Sequence, residues 1–438
     1  MPRAKESFVD RRSATAGRVR TSGDAEAPNA PGRDGRFPWR SGLSLMVGGA
    51  GWMWAFTSLH AVLLPAKIQL IDPVNKISIV AMVSTVTMLI SLLAGMGGGM
   101  LSDRTRTRIG SRSPWLIGGV MLGTALLAAF AFCDSLPVVL AVWWAYGAVY
   151  NVMLSAGCAW QPDQVAPRWR GTVSSMYGVG RQFGLQGAQI VAAMFVTNIS
   201  LGVVVALCVF DVLSLAAVAI NGERSNRDAP RPARTNGGLR SRLAMFLPPA
   251  HAGRDYWLAA VLLFLWMLPG GIGLYRLYTL TDYMGQSDQA AGWWIGVMSV
   301  PGLVLAIGFC AVSGPIADRF SSVRIPLALA IFSVGLPCWL PFFVPTPMAY
   351  AVYFVLSSFG GGIFTALDQS IMVDVLPNPT TRAHDLAFLN ACGALGNLCA
   401  PLLAGALVKA FGYASLFPMG FAVLTAAAAC VLCFRGIR

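Results

Sequence analysis

The stretch from Gly97 to Trp115 reads GGGMLSDRTRTRIGSRSPW, and long apolar runs flank it on both sides, 77–101 before and 114–133 after. An apolar run of about 18 or more residues is long enough to cross a bilayer as a helix. The charged cluster is therefore a short loop between two membrane spans. Arg104, Arg106, Arg108 and Arg112 in this loop fix the side of the membrane on which it lies. Half a chain later, Gly314-x-Ile316-Ala317-Asp318-Arg319 echoes Gly99-x-Leu101-Ser102-Asp103-Arg104, with Asp103 and Asp318 lying 215 residues apart.

Working outward, twelve such runs emerge: 43–64, 77–101, 114–133, 137–160, 171–197, 199–220, 256–279, 289–313, 325–343, 347–371, 387–411 and 413–434. Residues 1–40 are rich in Arg, Ser, Ala, Gly and Pro and read as a disordered basic tail. A basic linker, 221–255, separates six spans from six, and 435–438 form a short tail. A second echo supports a duplication: Asp163…Arg170 after span 4 returns as Asp374…Arg382 after span 10, its aspartates 211 residues apart. The expected architecture is an all-α membrane protein built from two parallel six-helix bundles, 41–220 and 256–434. Transporters repeated in this way hold their solute near the midplane between the halves.

Composition agrees. The chain has 438 residues, 56% hydrophobic and only 12% charged, against about 25% charged in soluble domains. Its net charge of +13 does not indicate nucleic acid, because the positive residues crowd into loops between apolar spans. With the N-terminus inside, 27 Lys and Arg fall on the cytoplasmic side, whereas Lys67, Lys76 and Lys409 are the three on the other side. The positive-inside rule then places both termini in the cytoplasm of a multi-pass cell-membrane protein. The cysteines sit mostly within apolar spans, and Cys430-Val-Leu-Cys433 has no partner pair, so they read as apolar filler. No cofactor and no metal site is expected. A GxxxxGK[ST] loop, the mark of direct nucleotide drive, does not occur, and neither does HExxH.

These loops resemble the major facilitator superfamily in Gly99-x-x-x-Asp103-Arg104, its second copy, and the Arg170-Gly171 pair opening span 5; the resemblance covers 41–438. More narrowly, the run from Asp103 through Gly110 and Arg112 to Pro114-Trp115 is similar to the glycoside–pentoside–hexuronide:cation symporters and sucrose carriers. The resemblance implies a monomeric secondary carrier working by alternating access on a small solute with a coupling ion. Proton-coupled uptake of a sugar or other small polar solute leads. The alternatives are a proton-driven exporter of a metabolite or drug and, more remotely, a membrane sensor or intramembrane enzyme. Spans 1, 2 and 4 contain no Asp or Glu, which favours H+ over Na+.

The resemblance also implies a cytoplasmic gate. Asp103 would face the start of span 11 and Asp318 the start of span 5, whose N-terminal dipoles point to that side. Arg104, Arg112, Arg168, Arg170, Arg319 and Arg382 would complete the network with Asp163 and Asp374. At membrane depth, ionisable groups are costly and point to function. Arg181, ten residues into span 5, either contacts the solute or pairs with Asp211 on span 6. Asp368, His60 and Asp211 are the candidate proton-binding groups, and His60 alternatively hydrogen-bonds at the interface. Arg276, near the expected end of span 7, is read as snorkelling to water. Trp143, Tyr150 and Asn151 share one face of span 4, and Trp54, Thr57 and Ser58 lie within a turn of span 1. In the family spans 1, 4, 7 and 10 line the cavity, so these residues are candidates for stacking on and hydrogen-bonding the solute, or for packing helices. Pro269-Gly270-Gly271 and Gly360-Gly361-Gly362 either let spans 7 and 10 bend or let neighbouring helices pack closely.

Overall fold

The structure is a computed structural model that describes residues 37–166, 169–223, 225, 253–319, 324–375 and 382–434. Most of the tail 1–40, most of the linker 221–255, and 435–438 lie outside the described residues. The described chain is helical throughout, with no strand among these residues. Lipid offers the backbone no hydrogen-bonding partner, so every peptide group must be satisfied within its own helix.

Among the described residues, contiguous helical turns form twelve rods, one for each expected span. They are α1 (Trp39–Ile71), α2 (Lys76–Arg104), α3 (Ser113–Phe132), α4 (Leu136–Gln164), α5 (Arg170–Ala193) and α6 (Ile199–Asn221). Then follow α7 (254–283), α8 (Asp288–Arg319), α9 (324–343), α10 (Pro347–Asp374), α11 (Arg382–Phe411) and α12 (Tyr413–Leu432). Among the described residues, eight rods are long and apolar enough on their own to cross a membrane. The first begins at Trp39, inside the stretch read as tail, where Phe37 packs edge-on against Trp169 with ring centroids 5.4 Å apart.

α5 is not one of the eight, and its glycines set how closely it packs. A Cβ at Gly180 would overlap the Met46 carbonyl oxygen, and one at Gly184 the Ala50 carbonyl oxygen. Two glycines four residues apart let α5 press its backbone onto α1, the close packing small residues allow in membranes. α1 is the most buried of the eight: 78% of its apolar window is buried, against 33% for α3 and α6. Gly360 on α10 serves the same purpose, since a Cβ there would reach the Ser333 hydroxyl and the Ala330 carbonyl, and α10 runs unbroken past it. α7, by contrast, breaks at 268–269 beside Pro269 and again at Tyr275.

The helix pairings reveal the duplication. α1 packs on α5 and α6, α2 on α4, and α3 on α4 and α6; α7 packs on α11 and α12, α8 on α10, and α9 on α10 and α12. Each of the five first-bundle pairings named here recurs six helices later. The two large pairings between bundles, α5 with α8 and α2 with α11, exchange under the same shift.

The apolar core is not symmetric from end to end. One cluster fills the first bundle, including Trp52, Leu59, Trp143 and Phe210, and continues into Ile272, Tyr278, Ile295, Tyr350, Ala404 and Phe417 of the second. The second-bundle members adjoin the α7–α8, α9–α10 and α11–α12 connections. At the arginine-loop end the second bundle keeps a separate cluster, with Tyr256, Leu263, Leu327, Phe364, Leu389 and Val431. Among the described residues, then, the bundles share a core at the end away from the arginine loops and hold separate cores at the end that bears them.

Candidate functional site

At the arginine-loop end, a hairpin of chain joins α2 to α3. Thr105 Oγ1 donates to the Leu101 carbonyl and accepts from Trp115 Nε1 at 2.7 Å, tying the two helix ends together. The loop turns at Gly110, whose φ of 98° lies in the left-handed region that glycine tolerates. Arg112 is buried at 6% exposure. Its Nε donates to Asp163 Oδ2 at 2.9 Å, its Nη2 lies 2.9 Å from the same oxygen, and its Nη1 donates to the Ser102 hydroxyl. Arg112 and Asp163, both expected in the gate, are thus brought together across α2, α3 and α4. Arg104 is exposed. Arg168 and the side chains of Asp103, Arg170, Asp318, Arg319, Asp374 and Arg382 lie outside the described part.

The residue that organises this loop is one the sequence reading did not single out. Glu223, just past the end of α6, accepts hydrogen bonds from the backbone N–H groups of Ser111, Arg112 and Ser113 and from the hydroxyls of Ser111 and Ser113. It caps the N-terminus of α3 from 110 residues away, satisfying donors no intrahelical carbonyl can reach and placing negative charge on the positive end of the dipole. A Cβ at Gly110 would overlap its carboxyl group. The available signal was a single acid directly after Asn221-Gly222, where Gly222 ends α6 in the left-handed region at φ 58°.

Deeper in the first bundle, the candidate solute-binding residues of α1 and α4 pack among themselves and against α2 and α5. Trp54, Thr57, Ser58, Trp143 and Tyr150 are all buried. Phe56 stacks on Tyr150 at 4.6 Å and on Trp143 at 5.5 Å. Trp143 Nε1 donates to Thr87, Asn151 Nδ2 to Ser91, and the Ser58 hydroxyl to the Ala188 carbonyl. His60 lies in a π turn, 59–63, and stacks parallel to Trp143 with an interplanar angle of 6°. Its Nδ1 and the Trp54 Nε1 are buried with no hydrogen-bond partner. α7 carries a π turn at 279–283, 220 residues after that of α1. Such turns are rare and recur at functional sites.

Arg181 and Asp211 do not pair. Asp211 accepts a hydrogen bond from Thr124 Oγ1 at 2.5 Å. Arg181 is exposed. The Asp368 side chain lies outside the described part.

The other end of the molecule holds a seam of bonds between the bundles. Lys76, at the start of α2, lies 2.7 Å from Asp282 Oδ2 in the π turn of α7 and 4.6 Å above the Tyr278 ring. Asp282 also accepts from the Tyr413 hydroxyl at 2.8 Å. Gln69 Nε2 donates to Asp288 at 3.1 Å. The Tyr278 hydroxyl donates to the Pro65 carbonyl at 2.7 Å, and the Tyr275 hydroxyl to that of Ile77 at 3.0 Å.

Arg276 belongs to this seam, which corrects the reading that sent it to water. It is 8% exposed, and its Nη1 donates to Gln189 Oε1 of α5 at 2.8 Å. α7 continues to 283, four residues past the expected limit, and α5 of the other bundle covers the guanidinium.

A family model described as Major Facilitator Superfamily matches residues 43–321 and 274–438. Among solved structures, a human organic anion transporter, TETRAN, is similar at 16% identity and a TM-score of 0.66, over 90% of this chain and 100% of that one. A peptide transporter, POT, solved in complex with sulfate, is similar at 16% identity and a TM-score of 0.68, over 89% of this chain and 93% of that one. No curated protein matches the sequence.

Proposed function

This chain belongs to the Major Facilitator Superfamily and is a multi-pass membrane transporter rather than an enzyme; from that premise we propose that it is a secondary active carrier working by alternating access. The observation that carries this reading is the asymmetry of the core. The bundles are joined by apolar packing and hydrogen bonds at one end and hold separate clusters at the other. A carrier resting with one gate shut has this form. The arginine-loop face is the cytoplasmic one, both termini lie on it, and the membrane is that of the cell surface. The closed seam around Lys76 and Asp282 then faces outward.

The cargo is a small polar solute, of the size and polarity of a sugar, taken up with protons. Arg181, exposed beside Tyr150 and Tyr177, supplies a fixed cation near the midplane. Trp54 and His60 each keep a buried ring nitrogen without a protein partner. Buried polar atoms are seldom left so, and reorientation during the cycle would give them one. His60, Asp211 and Asp368 are the proton-binding candidates. The loop network of Asp103, Arg104, Arg112, Asp163, Arg168, Arg170, Asp318, Arg319, Asp374 and Arg382 latches the cytoplasmic face when the outer seam opens. The narrower likeness to sucrose and glycoside carriers rests on the Asp103–Trp115 loop.

Purified protein in liposomes tests this. Acid-stimulated accumulation of a radiolabelled neutral sugar or sugar acid is expected. Proton-driven efflux of amphipathic dyes without such uptake would make the protein an exporter. If neither occurs, and the seam never opens in distance measurements, the carrier reading falls.

A further inference from the structure

Among the described residues no carboxylate lies within ion-pair distance of Arg276. Its surroundings are the Gln189 amide oxygen at 2.8 Å, the nearby Tyr350 side chain, and the Phe354 ring 4.2 Å from its Cζ. A guanidinium is always charged, so one neutral acceptor and an aromatic face leave its charge uncompensated. Removing such a cation from water is expensive unless a negative partner meets it.

The neighbourhood is built to receive one. Gln189 Nε2 donates to the Leu185 carbonyl and to Gln186 Oε1. Gln186 points at α8, where the absence of a side chain at Gly302 makes room for it: a Cβ there would lie 2.6 Å from Gln186 Nε2 and 3.2 Å from the Phe354 ring. Two amides from α5 of one bundle therefore converge with a guanidinium, a phenol and a ring from α7 and α10 of the other. Gln189 lies eight residues beyond Arg181 along α5, about 12 Å at 1.5 Å per residue, which places this cluster between the midplane and the closed seam.

The geometry points to Arg276, with Gln186, Gln189 and Tyr350, as the recognition site for the carboxylate of an anionic solute, and to Gln189 as the acceptor that holds the place of that carboxylate while the seam is closed. This deepens, and rests on, the carrier reading above. A carboxylate accepts two parallel N–H bonds from an arginine fork and is the stronger acceptor, so it displaces the Gln189 oxygen. In doing so it removes a hydrogen bond that joins the bundles, and solute binding thereby favours opening of the seam.

Gln189→Glu tests this by building the carboxylate into the protein with almost no change of shape. Detergent-solubilised protein is titrated with glucuronate, lactate and benzoate, and with glucose and benzyl alcohol as neutral counterparts, while thermal unfolding is followed. At least one carboxylate is expected to stabilise the wild type, with apparent affinity at least tenfold weaker in Gln189→Glu; any response to the neutral compounds is expected to be unchanged by the substitution. Arg276→Lys, which keeps the charge but not the fork, weakens the same response. Spin labels at Val74 and Gln289 report the seam in the same samples: Gln189→Glu narrows the distribution toward the closed distance, and an effective carboxylate widens it in wild type. Stabilisation by the neutral compounds alone, an unchanged carboxylate response in Gln189→Glu, or no response to any carboxylate overturns the assignment. If glucose is bound or moved while the label distances still exchange, the carrier survives and only the anion site is lost.

Discussion

The two ends of this molecule are held by different kinds of bond. At the arginine-loop end, the described polar contacts stay within one bundle: Arg112 with Asp163 and Ser102, and Glu223 with the start of α3. At the opposite end, a set of them crosses between bundles: Lys76 with Asp282, Gln69 with Asp288, Tyr278 with Pro65, and Arg276 with Gln189. Bonds within a bundle keep the same partners through a rocking motion and contribute to stability in every state. Bonds across the seam exist in one state only and set the balance between states. The two sets of residues should therefore fail in different ways.

The largest effect is expected from Gly110→Ala. The change adds a Cβ where the backbone sits at φ 98° and where Glu223 fills the space. Backbone strain of this kind costs roughly 1–3 kcal/mol. Displacing the Glu223 carboxylate from its backbone donors adds hydrogen bonds to a charged group worth about 1.5–3 kcal/mol. Thermal unfolding in detergent should show a loss of roughly 3 kcal/mol, and Glu223→Gln should show a smaller loss of the same kind. Neither should change the distance between labels at Val74 and Gln289. A shifted distance with unchanged stability would erase the distinction between the two ends.

Asp282→Asn is the reciprocal case. It removes the carboxylate facing Lys76, whose side chain is only 12% exposed, and leaves that ammonium buried against the Tyr278 ring. Stranding one partner of a largely buried pair costs about 2 kcal/mol after allowing for its residual exposure. This translates to roughly thirtyfold in the ratio of closed to open seam. The label distribution should broaden toward longer distances, and thermal stability should change much less than in Gly110→Ala. Lys76→Met should move the distribution the same way.

The same contrast explains what the sequence made legible. The twelve rods and their duplication follow from apolar run length and from short motifs whose residues are neighbours in the chain, and Arg112 and Asp163 lie in those motifs. The outer seam has no such signature. Lys76 and Asp282 are 206 residues apart, and Tyr278 and Tyr275 bond to backbone carbonyls, which any residue supplies. Arg276 was misplaced because its depth was counted from a span end at 279, whereas α7 extends through a π turn to 283 and a second bundle covers it. Of the residues read as a solute-stacking face, Trp143 and Tyr150 stack on Phe56, a contact that depends on how two helices rotate against each other and not on the periodicity of either.

Tyr278→Phe should have the smallest effect and separates the seam from its electrostatics. The hydroxyl donates to the Pro65 carbonyl at 2.7 Å in a buried setting, and the ring also lies beneath the Lys76 ammonium. Phenylalanine keeps the ring and removes only the hydroxyl, at a cost of about 1 kcal/mol, or roughly fivefold in the closed-to-open ratio. Because no charge is involved, the shift should be the same at low and high salt. The Asp282→Asn shift concerns a partly exposed ion pair and should shrink as salt rises. If both shifts respond to salt alike, the tyrosine acts mainly by placing Lys76; if neither appears, the seam is held by apolar packing around Tyr278 and Phe417 and not by its polar bonds.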